Sequence, residues 1–539
     1  MFMKLRILIR TTVVCSLVSL CLMLGFYSYY KLQASENQHD FNLYALVPHT
    51  ATAVLETQRL AELLEDVDQL QCSKEGRFLK VSELFSFLKQ NYRSLLSDTP
   101  HGLSKQMNQM LLSFHQPDTP SSQVLYCSLG RDDQSLIRRM VEKYSQGGYP
   151  PKTTRYRSEK LHIYPLSDGR FLSLYITDRY MALSFQKHLL EQVIDAEKEG
   201  SSLLKRSNYF RTLHDRRQVR SGATLFVRMK RVSMGSTEDT LQTSVQLGTW
   251  VEFELKLAER AIYGAGISKL AEADSIRSFA KMLKAQQPIE GFVGNTLPSS
   301  TFCYDHWALS NRTAYFGFTL PQTYAQMDPS DELKAQDAQW ISLLDSVMAG
   351  QATTCLFTAG DTLGRHTCMV LACPLREPDT TEPILKQHLA SLSSEVPLSG
   401  ETFPRSGRFS AFTLPPTTLF RQLTGMVDST LTVCATLHRH TLLLAPDTYS
   451  LSAYIDALER GDILESHPLY QEAMSSLAPT YNFLMMADMG QLLCQPKEYM
   501  RMIPRFFYRH ADFFRHFILA VQYTFTDDMA YPNVVLLHR

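Results

Sequence analysis

The sequence predicts an α+β protein, and three observations carry that prediction. Apolar and polar residues alternate in stretches such as residues 251–255, a pattern typical of antiparallel strands with one buried face. Other stretches, such as residues 78–96, place apolar side chains three and four positions apart, which is typical of amphipathic helices. One strand–helix pattern also occurs twice along the chain. Together these patterns predict antiparallel sheets packed against helices.

Composition excludes several classes of protein. The 539 residues include 44% hydrophobic and 20% charged side chains, which is an ordinary globular balance and not that of a disordered, collagenous or coiled-coil chain. The 54 Lys and Arg residues balance the 54 Asp and Glu residues, so the formal net charge is zero. A dedicated nucleic-acid binder is normally basic, and we therefore expect no nucleic-acid partner.

The sequence of residues 1–42 predicts an N-terminal membrane anchor. Residues 11–30 carry no charged side chain and are long enough to cross a bilayer as a helix. Three positive charges lie in residues 1–10, which the positive-inside rule places in the cytoplasm as a short tail. Residues 31–42 are polar and are interpreted as a tether. We therefore expect a single-pass protein of the cytoplasmic (inner) membrane, embedded in the lipid bilayer through residues 11–30, with its C-terminal region extracytoplasmic or periplasmic.

A cleaved signal peptide is the alternative interpretation of the same segment. Signal peptides have a shorter apolar region and end in small residues at the cleavage site. Here the apolar run ends in the bulky sequence Tyr-Tyr-Lys-Leu at residues 29–32, which favours a retained anchor.

An internal duplication is indicated by two similar stretches, one beginning at Arg179 and the other at His440. Residues 194–196 and 455–457 both read Ile-Asp-Ala, and Gly200 and Gly461 follow at the same distance. Each copy predicts a strand, a short loop, a helix that ends at the glycine, and a second short helix. Glycine suits the helix end because it adopts a left-handed conformation without steric cost.

The flanks of the two copies extend the similarity. A proline-led segment opens each half, VPHTA at residues 47–51 and LPSST at residues 297–301. The sequence therefore predicts two related lobes, residues 43–285 and residues 286–539, each an antiparallel sheet packed with helices.

A cluster of basic residues is a candidate contact for an anionic surface. Residues 131–231 hold 21 Lys and Arg residues against 11 Asp and Glu residues. Within this stretch the candidate residues are Arg211, Arg216, Arg217 and Arg220. Such a patch suits anionic lipid headgroups or an acidic envelope polymer. A solvated loop whose charges are balanced by nearby carboxylates is the alternative.

Two of the ten cysteines form a candidate disulfide. Cys355 and Cys368 flank a segment that predicts a hairpin turning near Asp361 and Thr362, so the two thiols are expected on facing strands. The alternative is that both are small buried hydrophobic side chains.

The search for catalytic or metal-binding motifs finds none. The sequence has no P-loop, no GxSxG nucleophile elbow and no HExxH helix. His438 and His440 flank Arg439 on a predicted strand, but no second pair of ligands lies at a suitable spacing. Asp195 and Asp456 repeat between the copies and are interpreted as structural. We expect no catalytic residue, no metal and no cofactor.

Taken together, the N-terminal anchor, the V/L-P-x-x-(T/S) opening and the strand–helix unit that ends in Gly-x-x-Leu resemble a family of bacterial membrane-anchored proteins of unknown function. The resemblance covers most of residues 41–539. It implies an extracytoplasmic region built from α+β units, and it transfers no catalytic residue.

The expected function is that of a non-catalytic binding or scaffold protein of the cell envelope, with a protein partner there. Its basis is the anchor, the duplication and the lack of a catalytic motif. Two alternatives remain. One is an envelope hydrolase or transferase with an active site between the lobes, and the other is a lipid-handling module with an apolar cavity.

Overall fold

The computed structural model describes most of the chain from residue 41 onward. The described residues are 41–539 without 77–81, 98–107, 117–118, 131–132, 145–150, 167, 217–221, 229–249, 270–278, 320–331, 362–363, 394, 399, 416, 418, 425–432 and 496–504, together with the single positions 23 and 28. Apart from those two positions and residues 41 and 42, the predicted anchor and tether lie outside the described residues. Among the helices that are described, none combines the length and the apolar character needed to span a bilayer.

The protein is α+β, as predicted, and the strand pairs that the structure describes are antiparallel. The helices are α1 Leu60–Gln69, α2 Gln71–Lys74, α3 Glu83–Ser97, α4 Asp133–Tyr144, α5 Lys187–Glu199, α6 Leu203–Arg206, α7 Asn208–Arg216, α8 Phe279–Lys284, α9 Arg312–Thr319, α10 Glu332–Val347, α11 Pro378–Leu392, α12 Leu419–Thr424, α13 Thr448–Arg460, α14 Pro468–Met474, α15 Met489–Leu492, α16 Arg505–Arg509 and α17 Ala511–Phe514.

The strands are β1 Ala53–Thr57, β2 Met110–Phe114, β3 Gln123–Ser128, β4 Lys152–Tyr156, β5 Glu159–Pro165, β6 Phe171–Ile176, β7 Tyr180–Ser184, β8 Ala223–Val227, β9 Val251–Ala258, β10 Ala261–Lys269, β11 Ile289–Glu290, β12 Thr301–Ala308, β13 Gln351–Asp361, β14 Gly364–Pro374, β15 Glu395–Pro397, β16 Ser410–Leu414, β17 Val433–His438, β18 Thr441–Ala445, β19 Thr480–Tyr481, β20 Phe483–Asp488, β21 Phe517–Thr526 and β22 Met529–His538.

Tertiary contacts divide the chain into two compact units. The first comprises Met1–Leu64, Lys80–Arg211 and Val219–Ala223, and the second Glu65–Leu79, Thr212–Gln218 and Thr224–Arg539. In the first unit the strand order is β1-β2-β3-β7-β6-β5-β4. In the second unit it is β9-β10-β22-β21-β20-β12-β13-β14-β18-β17-β16-β15.

A run of strands in the second unit repeats the order found in the first. The run β12-β13-β14-β18-β17-β16-β15 has the same connectivity as β1-β2-β3-β7-β6-β5-β4. The predicted strand, helix, glycine stop and second short helix are present in both units, as β7 and α5 to α7, and as β18, α13 and α14. Gly200 and Gly461, with φ of 66° and 77°, both end their helices in the left-handed conformation.

The proline-led segments have the same hydrogen bond in both units. The Leu203 backbone N–H donates to the Val47 carbonyl at 2.7 Å, and the Leu464 N–H donates to the Leu297 carbonyl at 2.8 Å. Each hydrogen bond joins the proline-led segment to the short segment that follows the capping glycine. The two sequence signals that indicated the duplication are therefore neighbours in space within each unit.

Two hairpins of the second unit also correspond to each other. The β9–β10 hairpin matches the β21–β22 hairpin, so that Ala261 corresponds to Met529 and Ala265 to Asn533. Strands β10 and β22 pair antiparallel, and Ala265 lies directly opposite Asn533, its own counterpart. A local two-fold axis therefore relates these two strands and passes between them. Both β9 and β10, which the sequence assigned to the first lobe, pair within the second unit.

The sheet of the second unit is covered on both faces. Two consecutive residues of β13, Leu356 and Phe357, point to opposite faces of the sheet and belong to two different hydrophobic clusters. One cluster includes Leu344 of α10 and Leu385 of α11, and the other includes Ile455 of α13. Because both faces are buried, strands such as β18 and β20 appear in the sequence as continuous apolar runs and not as alternating ones.

Candidate ligand-binding cleft

An open cleft of about 640 Å³ lies within the second unit. Its lining comes from five separate parts of the chain: the segment leading into β12, the β13–β14 hairpin, the segment between α13 and α14, the end of β20 with α15, and strand β21 with the last residue. The lining residues are Ser299, Ser300, Thr301, Thr358, Ala359, Gly360, Arg365, Leu464, His467, Leu469, Met486, Asp488, Gln491, Ile518 and Arg539.

The floor of the cleft is apolar. Leu464, Met486 and Ile518 are each at most 6% exposed and belong to one of the two hydrophobic clusters of the unit. Met486 lies on β20 and Ile518 on the neighbouring β21, where Ile518 pairs with Asp488. Because these side chains are already almost fully buried, they offer a ligand an apolar contact surface but little free energy from further removal of apolar area from water.

One wall of the cleft carries hydroxyl groups. Ser300 and Thr358 are joined through their backbones, since the Thr358 N–H donates to the Ser300 carbonyl at 3.3 Å. Deeper in the cleft, the buried Thr301 hydroxyl donates to the Pro298 carbonyl at 2.6 Å. Within the described part of the chain, the hydroxyls of Ser299, Ser300 and Thr358 make no hydrogen bond, so they are available to a ligand.

The other wall is closed by an ion pair. Arg539 Nη1 lies 2.9 Å from Asp488 Oδ1. The same carboxylate accepts the backbone N–H groups of Gly490 at 2.9 Å and Gln491 at 3.2 Å, and so caps α15. Asp488 therefore has its acceptors occupied, and it neutralises the charge of Arg539 at this wall.

Arg365 supplies the remaining positive charge of the rim. It lies at the start of β14, opposite Gly360 of β13, and its side chain is exposed. Among the residues that the structure describes, no carboxylate pairs with Arg365. Its guanidinium has five N–H donors in a planar fork, a geometry that matches a carboxylate or phosphate group.

The predicted basic cluster is described only in part. Arg211 lies exposed on α7, and its guanidinium donates to the Asn208 side chain at 2.9 Å. Arg216 is the last residue of α7. Arg217 and Arg220 lie outside the described residues, so the candidate contact of these four arginines with an anionic surface stays a prediction.

The hairpin predicted around Asp361 is present, and both of its cysteines are buried free thiols. Cys355 lies opposite Val370, and Cys368 lies opposite Phe357, so the two thiols are diagonal neighbours across the strand pair. Burial raises the pKa of Cys355 to about 12 and that of Cys368 to about 11. This arrangement favours the interpretation that both are small buried hydrophobic side chains.

The histidines 438 and 440 do not share one strand, which corrects the sequence interpretation. Arg439 and His440 form a tight turn between β17 and β18 with positive φ values of 47° and 59°. His438 lies 3.0 Å from Glu459, and His440 lies 3.0 Å from Glu382, so each has its own carboxylate. In the described ranges, no group of three or more potential metal ligands converges.

The repeated aspartates stabilise local structure in both units. Asp195 accepts the Tyr156 hydroxyl at 3.1 Å and pairs with Arg157 at 2.8 Å. Asp456 is buried and accepts the backbone N–H of Arg405 at 2.9 Å. Each carboxylate holds a loop or turn against its helix, in agreement with the structural role expected from the sequence.

Strand β12 carries two consecutive buried polar residues, Asp305 and His306, which the sequence analysis did not identify. Burial raises the pKa of Asp305 to about 6, although the Thr354 backbone N–H donates to it at 3.2 Å. Burial lowers the pKa of His306 to about 4, and its Nδ1 lies 2.9 Å from the Tyr481 hydroxyl. The two side chains point to opposite faces of the strand because they are consecutive, so they do not act as a pair.

Comparisons with known proteins give no family. No protein-family model matches the chain, and no curated protein matches it. Among solved structures, one titled "Structure of crystal form I of TP0453" matches 44% of this chain and 81% of that chain, with 9% sequence identity and a TM-score of 0.25. A likeness of this size supports no conclusion about the fold or the function of this protein.

Proposed function

We propose that this chain is a membrane-anchored, extracytoplasmic binding protein of the cell envelope, without catalytic activity of its own. The observation that carries the binding role is the open cleft of the second unit. It combines a buried apolar floor with a wall of hydroxyl groups and an arginine that is paired with no described carboxylate. These are the elements with which proteins hold a ligand in a fixed orientation.

Several side chains that could act as an acid or a base are buried or already paired, which supports a non-catalytic role. His306 and Asp305 are buried, and His438 is paired with Glu459. In the first unit His115 contacts Ser113 at 2.9 Å, as a nucleophile and its base would, but both side chains are buried. A catalytic pair must reach its substrate, so this contact is a structural one.

The location is supported by the sequence of residues 11–30 and by the positive charges before it. The repeated strand order and the repeated hydrogen bonds support the proposal that residues 43–285 and 286–539 arose by duplication.

In-cell cross-linking of the full-length chain tests this function. Affinity purification after cross-linking is expected to recover one envelope component in stoichiometric amount. Recovery of the chain alone contradicts a binding role. Turnover of an envelope polymer by the purified chain would instead favour a hydrolase or transferase.

A further inference from the structure

We propose that the cleft of the second unit binds an acidic peptide segment, with a ligand carboxylate on Arg365 and an apolar ligand side chain on Leu464, Met486 and Ile518. This inference rests on the proposed binding function and specifies its ligand. It requires that the charge, the hydrogen-bonding groups and the shape of the cleft all suit the same kind of molecule.

The charge of the cleft favours an acidic ligand. Asp488 and Arg539 neutralise each other at 2.9 Å, and two backbone N–H groups complete the hydrogen bonds of Asp488. Arg365 is then the charged side chain of the lining that forms no ion pair with a described residue. A guanidinium at the edge of an apolar floor binds a carboxylate through two parallel hydrogen bonds.

The hydroxyl wall favours a peptide over an acyl chain. Ser299, Ser300 and Thr358 offer groups that both donate and accept, which suits the alternating N–H and C=O groups of an extended backbone. An acyl chain offers no partner for them, so these hydroxyls would lose water without compensation. Apolar side chains at every second position of such a segment would reach the floor.

The shape of the cleft suits a short extended segment. Its volume of about 640 Å³ lies within the usual range for small ligands and is too small for a folded domain. Ser300, Arg365 and His467 on its rim are exposed, so a chain is able to enter and leave the cleft. The ligand is therefore expected to be a tail or a loop of a partner protein.

Fluorescence polarisation with the full-length chain in lipid nanodiscs tests the proposal. The probe is an N-terminally labelled Leu-Glu-Leu-Glu peptide with an amidated C-terminus, and the amidated Leu-Gln-Leu-Gln peptide of the same shape is the comparison without a carboxylate. We expect saturable binding of the acidic peptide and binding of the neutral peptide weaker by about tenfold or more. Equal binding of both peptides, or no saturable binding of the acidic one, would overturn the proposal.

Variants of exposed arginines locate the site. Arg365→Ala is expected to weaken binding of the acidic peptide by about tenfold, and Arg365→Lys to weaken it less, because the charge remains while the planar fork is lost. Arg408→Ala, which removes an exposed arginine of the same unit outside the cleft lining, is the matched control and should leave binding unchanged. Equal effects at both positions would overturn the assignment to the cleft.

Competition distinguishes the ligand class. Unlabelled Leu-Glu-Leu-Glu should displace the probe, whereas inorganic phosphate and dodecanoate at the same concentration should not. Displacement by dodecanoate alone would assign the cleft to acyl chains and overturn the peptide proposal. If Arg365→Ala still retains the cross-linked envelope component in cells, the binding function stands while the cleft assignment fails.

Discussion

Gly200 and Gly461 occupy the same position in two stretches with the same order of strand and helices, which lie in different halves of the chain. Both end a 13-residue helix in the left-handed conformation, with φ of 66° and 77°. Shortly after each glycine, the N–H of Leu203 or Leu464 donates to the residue that precedes the opening proline of its own unit. The left-handed helix end and the hydrogen bond that follows it therefore occur together at both places in the chain.

The glycine conformation gives the first prediction. Gly461→Ala should lower the free energy of unfolding by about 1 kcal/mol, because a residue with a Cβ is strained at positive φ. No atom lies within 4 Å of the added Cβ, so backbone strain is the whole effect. Chemical denaturation measures it. Gly461→Asn is the control and should cost less, since asparagine tolerates this conformation. Equal losses for alanine and asparagine would contradict the explanation.

Asp305 gives a prediction about pH. Folding raises its pKa from 3.8 to about 6, so the folded state is favoured by the protonated carboxyl below pH 4 and loses that stability as the pH rises through 6. Asp305→Asn is neutral at every pH and avoids this loss. The free energy of unfolding of the variant, relative to wild type, should therefore rise by up to about 3 kcal/mol between pH 4 and pH 7.

Urea denaturation at several pH values measures this difference. His306, whose pKa burial lowers to about 4, destabilises the folded state as the pH falls below 6.5. That effect is common to wild type and variant and cancels in the comparison. A difference that does not change with pH would show that the Asp305 carboxyl keeps its ordinary pKa.

The thiols provide a prediction about accessibility. Cys494 is exposed, whereas Cys355 and Cys368 are buried with raised pKa values. A maleimide reagent should therefore modify Cys494 of the folded protein and modify the two buried thiols only after denaturation, because the thiolate reacts and must be reached. Mass spectrometry of the labelled peptides gives the result. Fast labelling of Cys368 in the folded protein would contradict its position in the core.

The two repeated aspartates should differ in their effect on stability. Only 3% of the Asp456 side chain is exposed, against 26% for Asp195. Asp456→Ala leaves the Arg405 N–H without its acceptor and should cost about 1–3 kcal/mol. Asp195→Ala removes a partly solvated ion pair and should cost about 1 kcal/mol or less. Thermal or urea denaturation of the two variants measures the loss of stability at each position. Equal losses of unfolding free energy would contradict the explanation from burial.

Much of the fold could be predicted from the sequence because its signals are local. Helix α13 ends at Gly461 because the apolar pattern stops at a residue that allows positive φ. The tight turn at Arg439 and His440 could not be predicted in this way. Histidine is found at positive φ more often than most residues but arginine is not, so the dipeptide carries no strong turn signal. The turn forms because pairing of β17 with β18 compensates for the strain.

The cleft could not be predicted because no single stretch of sequence contains it. Ser300, Arg365, Met486 and Arg539 lie far apart along the chain and come together only through strand pairing. Each of them alone is an ordinary surface or core residue. The buried Asp305 was missed for a related reason, since the sequence of β12 does not show that the fold covers both faces of this strand.

The position of Cys494 relative to the membrane tests the central claim most directly. A membrane-impermeant maleimide is applied to spheroplasts that contain the full-length chain, before and after lysis, with Cys494→Ser as the control. We predict that Cys494, which is exposed, is labelled in intact spheroplasts, because we propose that the chain beyond residue 30 lies outside the cytoplasmic membrane. Labelling that appears only after lysis would place this region in the cytoplasm and contradict the account.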